Sequence, residues 1–241
     1  MQLRSSRFRQ LRDRGAHALV PESELGESRI WPVLAVVTAA GLYATLPSRF
    51  VAGSSSGFLG AVRYVVPALA LALLAPLALT APRRRLVYSV PRRTAALALI
   101  AIISAANGAS IVLLVHAIVN GRHINGHELI RAAIHMWCTN ALVFALWFWQ
   151  LDSGGPVERR RHPRSAPDFL FPQTAAPELA PPNWQPRFLD YLYLSFTNAT
   201  AFSPTDVMPL TQWAKMLMLV ESAASLLLLV MVAARAVNVL T

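Results

Sequence analysis

The sequence predicts an all-α polytopic membrane protein with about five transmembrane helices plus one short re-entrant segment, and three observations predict it. Of 241 residues, 55% are hydrophobic and 14% charged, with a mean hydropathy of +0.44; an ordinary soluble domain carries about 25% charge. The apolar residues come in runs long enough to cross a bilayer core, which takes roughly 20 residues of helix. The basic residues, 21 Arg and the single Lys215, fall in blocks between those runs. Together these exclude a typical soluble enzyme and a disordered chain. The lone Cys138 excludes an intrachain disulfide framework and a Cys-rich zinc module. The net charge of +10 is placed by topology, so it speaks of membrane orientation and not of nucleic acid.

Residues 1–29 are polar and Arg-rich and read as a cytoplasmic tail able to rest on anionic lipid. The first apolar run, Ile30 to Leu46, is about the minimum for a span. The tail before it is too long, and the run itself too long, for a typical cleaved signal peptide. The second run, Tyr64 to Ala81, holds Pro67 and Pro76; proline is tolerated in lipid where neighbours re-satisfy the freed carbonyls. Pro82 to Arg93 then carries five Arg and no acid.

The third run, Thr94 to Val119, has small residues from Ser104 to Ser110, which let helix backbones approach closely and predict a packing face. The fourth, Glu128 to Leu151, ends in Trp147, Phe148 and Trp149, a cluster suited to the headgroup interface. Residues 30–151 therefore form a four-helix transmembrane region. Residues 152–187, rich in Pro and Arg and without periodicity, read as a loop outside the hydrocarbon.

Phe188 to Phe202 is a short apolar, amphipathic segment, about 22 Å long if helical. A polar break, Ser203 to Asp206, separates it from the last long run, Gln212 to Leu240. Short helix, polar turn and long span is the pattern of a re-entrant loop followed by an inner helix. Irregular backbone at membrane depth is allowed only where protein buries it or it lines water.

Tyr193, Leu194, Ser195 and Phe196, running through to Asp206, Val207, Met208 and Pro209, resemble the pore segment of the two-helix potassium-channel-like superfamily. The likeness continues into the last helix, where Glu221 and the pair Ala234-Arg235 fall where many prokaryotic pore domains have a Glu and an Ala-Arg. It covers Phe188 to Leu240, under a quarter of the chain, and implies that 188–241 form a pore-helix-like segment, turn and inner helix. It also implies a fourfold homo-oligomer and small inorganic ions as partners.

The filter position departs from the family. Where that family presents carbonyl rings from Thr-Val-Gly-Tyr-Gly, this sequence has Thr200, Ala201, Phe202, Ser203, Pro204, Thr205 and Asp206. Ser203 and Thr205 replace both glycines, and Pro204 fixes its own φ and biases Ser203 toward extended backbone. A potassium-type filter does not follow from these residues. The expectation is a pore scaffold with a remodelled or non-conducting lip.

Arg placement puts the tail, the Pro82 to Arg93 stretch and the 152–187 loop on one side, the cytoplasm, with Arg49 and Arg122 opposite. The family's outer loop would instead be external. Three resolutions stay open at the level of sequence: 188–202 crosses fully, the re-entrant segment enters from the cytoplasm, or the Arg rule fails here.

Ionisable residues within spans are candidate functional groups. Glu221 is the clearest, with Ser225 one turn further on the same face. It reads either as a cavity carboxylate or as one pairing with Ser and Asn groups of a neighbouring helix. Arg131, His135 and Thr139 recur at four-residue spacing as one polar stripe, with His135 a possible proton-sensing group or a packing histidine. Asn107, His116 and Asn140 are expected to hydrogen-bond between helices. His123 and His127 have a ligand-like spacing, but Asn125-Gly126 interrupts them and no third ligand stands out. No phosphate-binding loop, dinucleotide fingerprint, nucleophile elbow or catalytic triad spacing is present.

The sequence thus leads to a multi-pass protein of a bacterial inner membrane, N-terminus cytoplasmic. It is expected to be no enzyme, to need no cofactor or metal and to bind no nucleic acid. Its partners are the lipid bilayer and copies of itself. An ion-channel-like pore module is the leading function; a non-conducting membrane scaffold or accessory protein is the alternative.

Overall fold

The structure is a computed structural model that describes residues 30–51, 64–65, 67–70, 72, 90–120, 125–161, 166–200 and 206–240. The tail 1–29, most of the second apolar run and the pore-segment residues Ala201, Phe202, Ser203, Pro204 and Thr205 lie outside the described residues.

Helix α1 (Ile30–Ala44) is followed by a 3-10 turn at Ser48–Phe50. Helix α2 (Val90–Val119) begins four residues before its apolar run, and α3 (Gly126–Leu151) starts at Asn125, whose side chain accepts a hydrogen bond from the His127 amide at 3.0 Å. Short helices α4 (Pro156–Arg161) and α5 (Pro172–Ala175) lie in the loop, with strand β1 (Phe169–Leu170) between them. Helix α6 (Phe188–Thr200), strand β2 (Met208–Pro209) and helix α7 (Gln212–Leu240) complete the order. Among the described residues three helical stretches are long and apolar enough to cross a membrane, Arg93–Val119, Gly126–Gly154 and Gln212–Ala234, and α1 is a shorter apolar helix. The chain is thus mainly helical and compatible with an all-α membrane protein.

Helix α3 is the hub, touching α1, α2, α6 and α7. Its inward residues sort the core into levels. At one end Ala35, Val36 and Ala39 of α1, and Leu99, Ile100 and Ile103 of α2, pack with Leu146 and with Phe188 of α6. At the other end Tyr43, Leu46 and Phe50 pack with Ile111 and Leu114 of α2, Leu129, Ala132 and Met136 of α3, and Leu228 of α7. We call the first the loop face, because α3 ends there in the 152–187 segment, and the second the opposite face. Helices α1 and α2 both run from the loop face to the opposite face, and α3 returns.

The small-residue centre of α2 is where α2 meets α3. Ser104 accepts from the Trp147 indole N–H at 2.9 Å and itself donates to the Ile100 carbonyl at 2.7 Å. Asn107 donates across to the Met136 carbonyl at 3.3 Å, and Ser110 is fully buried. Short side chains allow these backbones to come close, which is how helices associate when lipid competes for every apolar contact.

Helix α3 stops abruptly. Asp152 caps it, its N–H bonded to the Phe148 carbonyl, and Ser153, Gly154 and Gly155 follow with φ of 52°, 79° and 100°. The two glycines supply positive φ without a Cβ penalty; a Cβ on Gly155 would stand 2.9 Å from the Gln150 carbonyl oxygen. The chain then folds back over the end of α3 as a packed aromatic cap. Phe148, Phe169, Phe171, Tyr191 and Val207 are buried together with Ala214. Phe169 lies 5.0 Å from Phe148, tilted, and 6.0 Å from Trp213, edge-on, between ring centroids.

Candidate functional site

The C-terminal unit dips into the bundle and comes back. At its start, Arg187 N–H donates to Asp190 at 2.6 Å, a return bond of the capping-box kind. Phe188 sits edge-on to Trp149, near the loop end of α3, with centroids 6.0 Å apart. At the far end of α6 the Ala199 carbonyl accepts from the Trp137 indole at 3.2 Å. Trp149 and Trp137 are about three turns apart on α3, so α6 descends roughly 18 Å along it. By residue 207 the chain is back at the loop face: Val207 is buried in the aromatic cap, and β2 pairs antiparallel with β1, Phe169 opposite Pro209 and Leu170 opposite Met208. Helix α7 then descends past α6 toward the opposite face, where Leu228 packs. Phe188 and Val207 therefore stand at the same face of the bundle, and α6 packs against both α3 and α7.

Two buried carboxylates anchor this unit. The upper is Asp152, only 1% exposed. Its carboxylate accepts from the Asp168 amide at 2.8 Å, the Ser153 hydroxyl at 3.2 Å and the Tyr191 hydroxyl of α6. Arg159 approaches it at 3.7 Å while donating to the Asp152 and Trp149 carbonyls at 2.9 and 3.2 Å, and its guanidinium stands 5.0 Å from the Tyr191 ring centroid. Asp168 extends the network, accepting from the Ser153 amide at 2.8 Å and from the Trp213 indole at the head of α7 at 3.0 Å. The 152–187 segment thus ties the ends of α3, α6 and α7 to one another.

The lower anchor is Glu221, fully buried. Its carboxylate accepts from the Ser195 hydroxyl and, at 2.6 Å, from the Asn198 side-chain amide, both on α6. Asn198 also donates to the Met218 carbonyl at 3.0 Å and accepts from Ser222 at 3.0 Å. From α3, Asn140 donates to Ser225 at 3.0 Å and to the Glu221 carbonyl at 3.3 Å, and Ser195 lies 2.6 Å from the Ala141 carbonyl. Among the described residues, both partners of the Glu221 carboxylate are neutral, a hydroxyl and an amide of the same chain.

The other residues singled out from sequence fall elsewhere. Thr200 closes α6, its hydroxyl bonded to the Thr197 carbonyl at 2.8 Å, and Asp206 is exposed where the chain regains the loop face. Of the polar stripe on α3, Thr139 is buried, His135 is half-buried with Nδ1 3.4 Å from the Thr45 hydroxyl of α1, and Arg131 is exposed. The stripe therefore faces α1 and the surface, away from Glu221. Arg49 pairs with Glu128 at 2.7 Å across the opposite face. Among the described residues no three His, Cys, Asp or Glu gather as metal ligands.

Asp152, Arg159, Asp168, Tyr191 and Trp213 were not singled out from sequence. Their only local signal is Asp152 followed by Ser-Gly-Gly at the end of an apolar run, a helix-stop pattern; the partners are far apart in the chain. No family model matches this chain, and neither curated proteins nor solved structures yield a match.

Proposed function

We propose that this chain is an integral membrane protein whose C-terminal unit is an ion-channel-like pore module of a homo-oligomer, passing small inorganic ions at a remodelled lip formed by Thr200 to Asp206. The observation that carries the reading is that α6 starts at the loop face, ends about three turns below it, and the chain is back at that face by Val207. A segment that spends its backbone polarity at membrane depth needs either burial or water on its inner side, and a short helix held between an outer and an inner helix is how such a lip is delivered to an axis. The tetramer is carried by the family resemblance alone.

The span count fits the same reading. Val51 is buried with the opposite-face core, while α2 sets out from the loop face. With α1, α2, α3 and α7, the apolar run 64–81 read as a further span supports five crossings and one re-entrant segment in the cell membrane.

The second reading, a non-conducting scaffold, is favoured by Glu221: its carboxylate is spent on α6 of its own chain. The deciding experiment is flux through liposomes containing the purified oligomer, wild type against Asp206→Ala. A conducting pore gives wild-type flux of a small cation or anion and a changed rate or selectivity in the variant. No flux for any small ion from a well-folded oligomer leaves the scaffold.

A further inference from the structure

We infer that the loop face, and with it the mouth of the re-entrant unit, is the cytoplasmic face. The inference rests on the re-entrant course of residues 188–208 and is independent of conduction.

Three chain ends meet on that face. Helix α1 leaves it, since Ala35 and Val36 pack beside Leu146 and Phe188; α2 leaves it, since Leu99 and Ile100 join the same cluster; and α3 arrives there at Asp152. In sequence each of these ends is flanked by Arg: six precede Ile30, five lie between 82 and 93, and Arg159, Arg160, Arg161 and Arg164 follow α3 within about a dozen residues. The ends on the opposite face are poorer. The connections that leave it, after Val51 and after Val119, carry Arg63 and Arg122, and Arg49 is engaged by Glu128 at 2.7 Å.

Arg and Lys close to helix ends are retained on the cytoplasmic side, whereas acids contribute little to the bias. The acids among the tail residues and in the 152–187 segment therefore do not cancel it. Geometry turns three separate charge blocks into one vote, because the packing places all three ends on a single face. The consequence is an inverted module. Asp206 and the close of α6 are approached from the cytosol, and the C-terminal end of α7 reaches the outer surface. This is the reverse of the family resemblance, in which the corresponding loop is external.

The test is accessibility labelling of single cysteines in full-length protein with Cys138→Ser, expressed in intact bacterial cells with a permeable outer membrane. Leu179→Cys and Met208→Cys report the loop face, being 84% and 55% exposed in the parent, and Asn120→Cys reports the opposite face at the end of α2. Glu178→Cys, also exposed, stands in should Leu179→Cys fail to accumulate. A membrane-impermeant maleimide is expected to label Asn120→Cys in intact cells, and Leu179→Cys and Met208→Cys only after permeabilisation, with at least a tenfold difference in label. Labelling of both loop-face cysteines from outside overturns the orientation while leaving the re-entrant course intact. Labelling of Leu179→Cys and Met208→Cys from opposite sides overturns both.

Discussion

Asp152 and Glu221 hold the same short helix at two depths, and they do so with opposite chemistry. Asp152 sits at the end of α3 beneath the aromatic cap, paired with a guanidinium and accepting from Tyr191. Glu221 sits about two turns inside α7 and, among the described residues, meets neutral donors, Ser195 and Asn198. At the end of a helix a buried charge can recruit a counter-charge, because Arg159 lies in the segment that folds back over that end. Within the bundle an Arg would itself be costly, so hydroxyls and amides take its place. The difference teaches where rigidity comes from: an ionic cap fixes the entrance of the re-entrant unit, and a set of weak interhelical hydrogen bonds fixes its depth.

The sharpest way to break the comparison is at the cap. Asp152→Ala strands Arg159 and removes the acceptor of Asp168, Ser153 and Tyr191, so it is expected to cost about 3–5 kcal/mol, the range for breaking a buried ion pair. Unfolding of the purified protein in detergent, followed by Trp fluorescence, reads it. Adding Arg159→Met should recover part of the loss, since the stranded charge is then gone; no recovery would mean that the hydrogen bonds and not the charge carry the effect. Next comes the turn that aims Asp152. Gly155→Ala puts a Cβ 2.9 Å from the Gln150 carbonyl at φ of 100° and should cost about 3 kcal/mol, the upper end for strained backbone. Gly41→Ala, on an exposed stretch of α1 with nothing within 4 Å of the added Cβ, is the control and should be neutral or slightly stabilising.

How legible each anchor was follows from how far apart its residues lie. Glu221 and Ser225 could be paired from spacing alone, one turn apart on an otherwise apolar helix. The identity of their partners could be narrowed only to Ser or Asn on a neighbour, because packing decides which neighbour is near. The aromatic end of α3 read from sequence as suited to the headgroup interface; in the fold Phe148 is buried in the aromatic cap and Trp149 stands edge-on to Phe188. Phe169 and Phe171 stand among prolines in a stretch without periodicity, and nothing local says that they fold back onto Phe148 and Tyr191. Nor does spacing distinguish Arg159 from Arg160 and Arg161, although Arg159 is turned inward beside Asp152. The depth reached by α6 was likewise hidden: residues 188–202 are short for a full crossing but left a span and a re-entrant helix both open, and it is Val207 in the aromatic cap and the β1–β2 pairing that mark the return.

At the lower anchor the expected effect is smaller. Glu221→Ala leaves one Asn198 proton without an acceptor, while the Ser195 hydroxyl keeps the Ala141 carbonyl at 2.6 Å, and it is expected to cost about 2 kcal/mol, within the range for stranding a buried donor. Glu221→Gln keeps an acceptor oxygen and the side-chain length, and should cost about 1 kcal/mol or less. If Gln were as damaging as Ala, a carboxyl group as such would be required at this depth, and the description of Glu221 as a neutral-donor clamp would fail.

The smallest effect isolates a single rung of that clamp. Ser225→Ala removes the hydroxyl that accepts from Asn140 at 3.0 Å, while the second Asn140 proton keeps the Glu221 carbonyl at 3.3 Å. Side-chain hydrogen bonds between helices in a membrane contribute about 0.6 kcal/mol on average, because the separated helices find other partners in lipid. Ser225→Ala and Asn140→Ala should therefore couple by about that amount in a double-mutant cycle. Asn140→Ala should cost more than Ser225→Ala, since it alone also loses the bond to the Glu221 carbonyl. A coupling several times larger would place Asn140 and Ser225 on the same footing as the ionic cap, and depth and entrance would no longer be held by different physics.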